Sequence, residues 1–292
     1  VDLRGIGMGL TFALLWSSAF TTARMIVIDA PPLKALVVRF MIAGLIGVGL
    51  AFALGQSARL TRAQWRSVVI FGICQNGLYL GLNYVAMTRL EAGFASIIAS
   101  TMPLMVALLG WLAYGERVRP LGLAGLVAGF SGAALIMGTR LSGGVDPFGV
   151  LLCIIAMVAL AVATLTVRGA SSNGNLLMIV GLQMLVGSAF LVLPSLLLDG
   201  WEVNWTPRLG IAFVYTLLVP GLLATWVWFL LVGRIGAVRA ATFHFLNPFL
   251  GVATGVLLLG EKLEVWDVVG VAIIMVGILA VQQSKAVPLP SG

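Results

Sequence analysis

The stretch "ALLGWLAYGERVRP", Ala107 to Pro120, ends a long apolar run on Gly115-Glu116-Arg117, and "VATGVLLLGEKLEV", Val252 to Val265, ends another on Gly260-Glu261-Lys262. In a chain only 9% charged, the same ending written twice calls for a cause. Sliding the sequence against itself by 145 positions also aligns Arg89 with Arg234, Ala95 with Ala240, Pro103 with Pro248, Gly125 with Gly270 and Gly132 with Gly277. No gap is needed over about forty residues, so a duplicated unit is the simplest account.

The surrounding composition says what was duplicated. The chain has 292 residues, is 61% hydrophobic and has a mean hydropathy of +1.11, against about 45–50% apolar content in a soluble domain. A helix needs about 20 apolar residues to cross a ~30 Å hydrocarbon core. Ten such segments are read at 5–23, 35–54, 67–86, 92–114, 120–137, 147–167, 176–198, 209–232, 240–259 and 268–283. They are continuously apolar rather than alternating, which argues for helices and against an outer-membrane barrel. The fold expected is an all-α integral membrane protein. Its first segment is taken as a mature helix, being longer than the apolar part of a signal peptide. Cys74 and Cys153 lie inside apolar segments without metal-ligand spacing, and are read as buried free thiols.

Ten helices divide into two halves of five, at 1–140 and 146–284, with 285–292 as a tail on the cytoplasmic side. Five is odd, so the second copy enters the membrane upside down, giving two inverted-topology repeats around a central cavity. Glu116 and Glu261 then fall at equivalent helix ends on opposite sides. Each is expected in the turn before the fifth helix of its half, with the acid reaching that following helix's positive N-terminus. Pro103 and Pro248 sit at equivalent depths, each removing a backbone hydrogen bond. They are candidate hinges, or else static kinks.

Net charge is +7, and sorting the cations by side explains it without a nucleic-acid partner. With the N-terminus cytoplasmic, ten cations fall on the cytoplasmic side, Arg4, Arg59 and Arg62 among them, and six on the other. N-terminus and C-terminus are therefore both expected in the cytoplasm. All ten acids flank segments, and eight of them lie on the outer side.

Polar and aromatic groups far from helix ends are costly in hydrocarbon and mark a cavity or a helix contact. Asn76, Tyr79 and Asn83 are spaced three and four apart, on one helical face of the third segment. Their repeat counterparts are Gly221, Ala224 and Trp228, so a site between the halves would be chemically asymmetric. Trp16 lies near the middle of the first segment, and Ser100 one turn before Pro103. Trp226 lies deeper than an interface residue, and His244 is the only histidine. These residues, Trp16, Asn76, Tyr79, Asn83, Ser100, Trp226 and His244, form the expected substrate-binding set. Arg39 lies about 6 Å inside the second segment at 1.5 Å per residue. It either snorkels to the interface, attracts a carboxylate, or braces helices in one gating state.

Ten helices in two halves, Arg39 in "LVVRFMIAG" with Gln183 in "GLQMLVG" at the corresponding place, and the twins "MPLMVALLGWLAYGER" and "NPFLGVATGVLLLGEK" resemble the EamA-type transporters of the drug/metabolite transporter superfamily. The resemblance covers essentially the whole chain. Within that family it is most similar to bacterial inner-membrane exporters of aromatic amino acids. The resemblance implies a secondary transporter in the inner membrane that exports an amino acid or related small metabolite by alternating access. Partners are then the substrate and the lipid bilayer, with no obligatory protein partner. No acid lies mid-membrane and no cation but Arg39 does, which favours a neutral or zwitterionic substrate moved by uniport or exchange. No GxSxG, HExxH, P-loop or GxGxxG occurs, so neither an enzyme nor a cofactor is expected. A carrier of another substrate class, a channel and an intramembrane enzyme stay open as alternatives.

Overall fold

The computed structural model describes residues 3–114, 119–166, 174–235, 243 and 246–285. Among these, seven helices are long and apolar enough to cross a membrane and three shorter apolar ones complete a set of ten. They are α1 (Leu3–Asp29), α2 (Pro32–Ala53), α3 (Arg62–Ala86), α4 (Ala92–Ser100 and Met102–Tyr114), α5 (Pro120–Ser142), α6 (Pro147–Thr166), α7 (Leu176–Leu198), α8 (Pro207–Leu218 continuing to Ile235), α9 (Asn247–Leu259) and α10 (Val265–Lys285). The protein is an all-α, multi-pass membrane protein.

Side-chain contacts order the helix ends. Arg24 of α1 donates to the Met87 carbonyl after α3. Asp29, ending α1, accepts from Arg208 at the start of α8 at 2.9 Å and from Thr206 at 2.9 Å. The Lys34 backbone N–H on α2 donates to Asp199 after α7 at 2.8 Å. Arg89 after α3 pairs with Asp146 before α6 at 2.7 Å, and Arg140 of α5 donates to Asp267 of α10. Odd-numbered helices thus end, and even-numbered ones begin, on one face. The second half begins where α1 ends, so the two halves are inverted. These partners also explain why α1 runs on to Asp29, past the expected end near residue 23: its terminal acid is buried and fully hydrogen-bonded.

The contacts between halves repeat under the same exchange. α1 packs on α8 and α9, α6 packs on α3 and α4, α2 packs on α7, and α5 packs on α10. The α5–α10 crossing shows why small residues stand there. A Cβ on Gly277 would lie 2.6 Å from the Gly125 carbonyl oxygen, and one on Gly132 would lie 2.9 Å from that of Gly270. These two contacts interchange under the 145-residue shift. Bilayer helices gain little hydrophobic energy from one another, so close backbone approach supplies much of their association.

Two departures from regular helix recur at equivalent places. α3 is π-helical over Gly72–Leu80 and α8 over Val219–Leu223, which overlie each other under the shift. α4 breaks at Thr101 and α9 begins after Leu246, again 145 apart. Pro103 and Pro248 each fall in the first turn of the following helix, where the missing N–H would have had no partner. Pro103 therefore marks a break between two helical pieces rather than a kink within one helix, and Pro248 stands at the start of α9.

The Gly-Glu motif differs from expectation. Gly260 adopts a left-handed conformation, φ +66, and closes α9. Glu261 then folds back onto α4 of the other half, accepting from the N–H groups of Ala92 at 2.6 Å and Gly93 at 2.8 Å. It does not cap α10, whose first turn is served by Asp267 accepting from the Glu264 N–H at 3.0 Å. The expected local cap loses because the α4 N-terminus, carrying two adjacent unpaired donors, lies against the end of α9. Glu116 lies outside the described residues.

Candidate functional site

The two π-helical segments face each other across a cavity of about 560 Å³ between the halves. A π-bulge widens the turn and re-aims neighbouring side chains, which is why it often marks a functional wall. Gln75, Asn76 and Tyr79 come from the α3 bulge, and Pro220 and Gly221 from the α8 bulge. Trp16 joins them from α1, Met102 from the break in α4, and Gln183 and Met184 from α7. The volume falls in the roughly 300–1,000 Å³ range of small-molecule sites.

The cavity extends toward the terminus-bearing face, where Gln64 and Leu176 line it from the first turns of α3 and α7. In the other direction it continues into a smaller pocket of about 70 Å³, shared by Trp16, Arg39, Tyr79, Asn83 and Tyr84 and reaching Ala23 and Met87. Beyond lies the face knit by charges. There Arg140 contacts Glu91 at 3.3 Å and Glu264 at 3.6 Å as well as Asp267. Partial burial pushes the Glu91 carboxyl above the usual carboxylate range, against the opposing pull of Arg140. The hydrogen bond from Arg89 holds Asp146 below that range.

Apolar side chains dominate the larger cavity, aromatic rings among them. Phe12 lies 4.8 Å from Trp228 and 5.8 Å from Trp16 between ring centroids, in tilted arrangements. Phe40 and Phe71 complete an aromatic wall. The polar groups are few and held in place. Asn76 is 5% exposed and donates to the Gln183 carbonyl at 2.9 Å, linking the halves. Asn83, 2% exposed, donates from Nδ2 to the Tyr79 carbonyl at 2.8 Å, and its Oδ1 has no hydrogen-bond partner.

Of the sequence-derived residues, Trp16, Asn76 and Tyr79 line the large cavity, and Asn83 lines the small one with Trp16 and Tyr79. Ser100 sits elsewhere: it is buried, and its hydroxyl donates to the Ile97 carbonyl of its own helix at 2.6 Å. The Trp226 side chain and His244 lie outside the described residues. Arg39 does not snorkel. It is 8% exposed, turned into both cavities, and donates to the Tyr84 hydroxyl at 3.1 Å. Phe12, Phe71, Gln75, Gln183 and Trp228 were not in the expected set. Trp228 carried a usable signal, being the repeat counterpart of Asn83, whereas Phe12 and Phe71 look like any lipid-facing residue in sequence.

Comparison with known proteins agrees with this architecture. The EamA-like transporter family matches residues 3–138 and 147–282, one copy per half. The transporter YvbV of Bacillus subtilis is 26% identical over 275 residues, covering 94% of this chain and 90% of that protein. The inner membrane transporter YedA of Escherichia coli is 25% identical over 284 residues, covering 95% and 90%. Protein PecM of Dickeya dadantii is 26% identical over 272 residues, covering 92% and 89%. A crystal structure at 22% identity superposes with a TM-score of 0.68 over 96% of both chains, a likeness of fold. With a match to both halves, two inverted five-helix repeats and a cavity between them, the chain belongs to the EamA-like transporter family of the drug/metabolite transporter superfamily, a family of membrane transporters and not of enzymes.

Proposed function

We propose that this transporter exports amino acids with aromatic or other apolar side chains, or closely similar small metabolites, by uniport or exchange. The observation that carries the reading is the cavity between the halves: mostly apolar in its lining, with rings from Phe12, Trp16, Phe40, Phe71, Tyr79 and Trp228, and with polar groups that include Arg39, Asn76 and Gln183. An apolar side chain fits the rings, and a polar backbone fits the amide and guanidinium groups. Trp16, Asn76, Tyr79 and Asn83 are the contact residues in this reading, with Trp228 added and with Trp226 and His244 kept from the sequence, whereas Ser100 is dropped because its hydroxyl is committed to its own helix. The likeness of the helix-pair motifs to the bacterial aromatic amino-acid exporter YddG supports the substrate class.

Direction and location follow from charge. Arg4, Arg59, Arg62, Arg66, Arg119 and Arg234 belong to the terminus-bearing face, which the positive-inside rule makes cytoplasmic. YedA, an inner membrane transporter, supports the bacterial inner membrane as the site. The cavity then meets the cytoplasm, and the charged face is the closed outer one. The helix break beside Pro103 and the start of α9 at Pro248 serve as hinges between this state and its inverted counterpart, and Arg39 braces α2 against α3 in the closed outer half.

The test is efflux from proteoliposomes preloaded with all twenty amino acids, without a proton gradient, read by mass spectrometry against protein-free vesicles. Selective loss of a few aromatic or apolar amino acids is expected. Retention of all twenty would overturn the assigned substrate class.

A further inference from the structure

The two halves close the seam between their fourth and fifth helices differently. In the first half Leu104 of α4 is fully buried against Gly129 of α5, where there is no room even for a Cβ. The 145-residue shift puts Phe249 of α9 and Ile274 of α10 at these positions. Ile274 carries a buried side chain where Gly129 has none, and Phe249 stands outside, 57% exposed. Between them α9 and α10 leave a groove of about 410 Å³, with Val252, Ala253 and Val256 on one wall and Ala272 and Met275 on the other. Its one polar lining residue, Asp267, is 1% exposed and spends its carboxylate on Arg140 and the Glu264 N–H. The groove shares no lining residue with the central cavity.

The rim of the groove is exposed, at Leu257 and Val268 as well as Phe249, on helices that cross the bilayer. Lining atoms with nothing opposite them lose their dispersion contacts, so the groove calls for an apolar occupant, and lipid tails are as apolar as leucine. Its polar end is equally specific. The turn between α9 and α10 carries Lys262, next to the groove residue Leu263. The Lys262 carbonyl accepts from Arg140 at 3.0 Å, which fixes the backbone. Its exposed ammonium has no hydrogen bond or ion pair among the described residues. Trp266, half exposed in the first turn of α10, stands where aromatic residues meet lipid headgroups. An apolar groove ending at an unpaired cation is complementary to an acyl chain ending at a phosphate.

We propose that the α9–α10 groove binds one phospholipid from the leaflet at the charge-knit face, with an acyl chain between the two helices and the phosphate on Lys262. The site belongs to the second half alone, because Leu104 and Gly129 close the corresponding seam of the first. It acts on a helix that also holds the halves together, since Thr254 of α9 accepts from Thr21 of α1 at 2.9 Å and Glu261 reaches α4.

The test uses the full chain in detergent, with phosphatidylethanolamine and a diacylglycerol of the same acyl chains as probes, read by native mass spectrometry. The wild type should retain one phosphatidylethanolamine, held about fivefold more tightly than the diacylglycerol, the effect of one lysine at a lipid surface. Lys262→Gln should remove that preference. Ala253→Phe and Ala272→Phe fill the groove from its two walls and should weaken retention by about tenfold or more. Val127→Phe, at the position on α5 that corresponds to Ala272, should leave it unchanged. A photoreactive group on the acyl chain reads the wild type without any variant: label should fall on residues 249–257 and 263–275 ahead of the other lipid-facing helices. Equal retention by the wild type and both groove-filling variants would overturn the site, as would label spread evenly over all helices, the mark of ordinary surrounding lipid. A wild-type dimer that Ala272→Phe converts to a monomer would also overturn it, by giving the groove to a second copy of the chain.

Discussion

The carboxylate of Glu261, at the end of α9, sits 2.6 Å from the backbone nitrogen of Ala92, the first residue of α4 in the other half. One acid thus fastens the two halves at the face that also carries the Arg140 ion pairs. Gly260 makes the contact possible by turning the chain left-handed, which only glycine does without strain. Removing the acid leaves two buried N–H donors of α4 unsatisfied.

Glu261→Ala is therefore expected to cost about 1–3 kcal/mol, the range for leaving a buried hydrogen-bonding group unsatisfied, and to loosen this face. With Cys74 and Cys153 replaced by alanine, a reporter cysteine at Met87 should be labelled faster in the Glu261→Ala protein than in its parent. Equal labelling rates would show that the contact does not hold this face shut.

The α5–α10 crossing gives a sterically sharper prediction. Gly277→Leu would drive a side chain into the Gly125 backbone, where even a Cβ comes within 2.6 Å. Loss of the monodisperse species in detergent is expected. Gly138→Ala on the same α5, where a Cβ meets nothing within 4 Å, should leave size-exclusion behaviour and thermal stability unchanged. Similar behaviour of the two variants would contradict close backbone packing as the cause.

Much of the fold could be read from the sequence because the repeat is written in residues whose spacing survives duplication: Pro103 and Pro248, Gly125 and Gly270, and the paired Gly-Glu endings. The stripe of Asn76, Tyr79 and Asn83 was legible for a similar reason, since spacings of three and four put them on one side of a helix wherever that helix packs. What could not be read was long-range. Glu261 was expected to cap the helix that follows it, because sequence shows neighbours along the chain and not the α4 N-terminus brought beside it. The depth of Arg39 was legible, but not its inward rotamer, which depends on a tyrosine hydroxyl 45 positions away. The π-bulges, which bring Gly221 and Gln75 to the cavity, leave no motif.

Aromatic lining should govern affinity. Trp228→Ala and Tyr79→Ala each remove a ring from the cavity wall, and burying such a side chain contributes roughly 1.5–3 kcal/mol. An increase in substrate KM of about tenfold or more is expected, since about 1.4 kcal/mol is a factor of ten. Expression and thermal stability should change less than transport. Unchanged KM in both variants would place the substrate elsewhere.

Acid sensitivity should reside partly in the Arg89–Asp146 pair, which joins the end of α3 to the start of α6. Arg89 holds the folded-state pKa of Asp146 below its unfolded value. Its contribution to stability is therefore present above the ordinary carboxylate pKa and is lost as pH falls through the depressed one. Asp146→Asn should lower the melting temperature at neutral pH and flatten its decline on the acid side. A variant melting curve parallel to the wild type at every pH would remove the pair from the account.

A carrier whose substrate site is the cavity between the inverted halves opens that cavity to one side at a time. Counterflow reads that property: proteoliposomes loaded with excess unlabelled phenylalanine are diluted into labelled phenylalanine, and the label inside is followed over time. A transient overshoot is expected, with label accumulating above its external concentration before it decays, and no overshoot in vesicles loaded without substrate. Label that rises only to equilibrium, whatever the vesicles contain, would contradict it and indicate a channel.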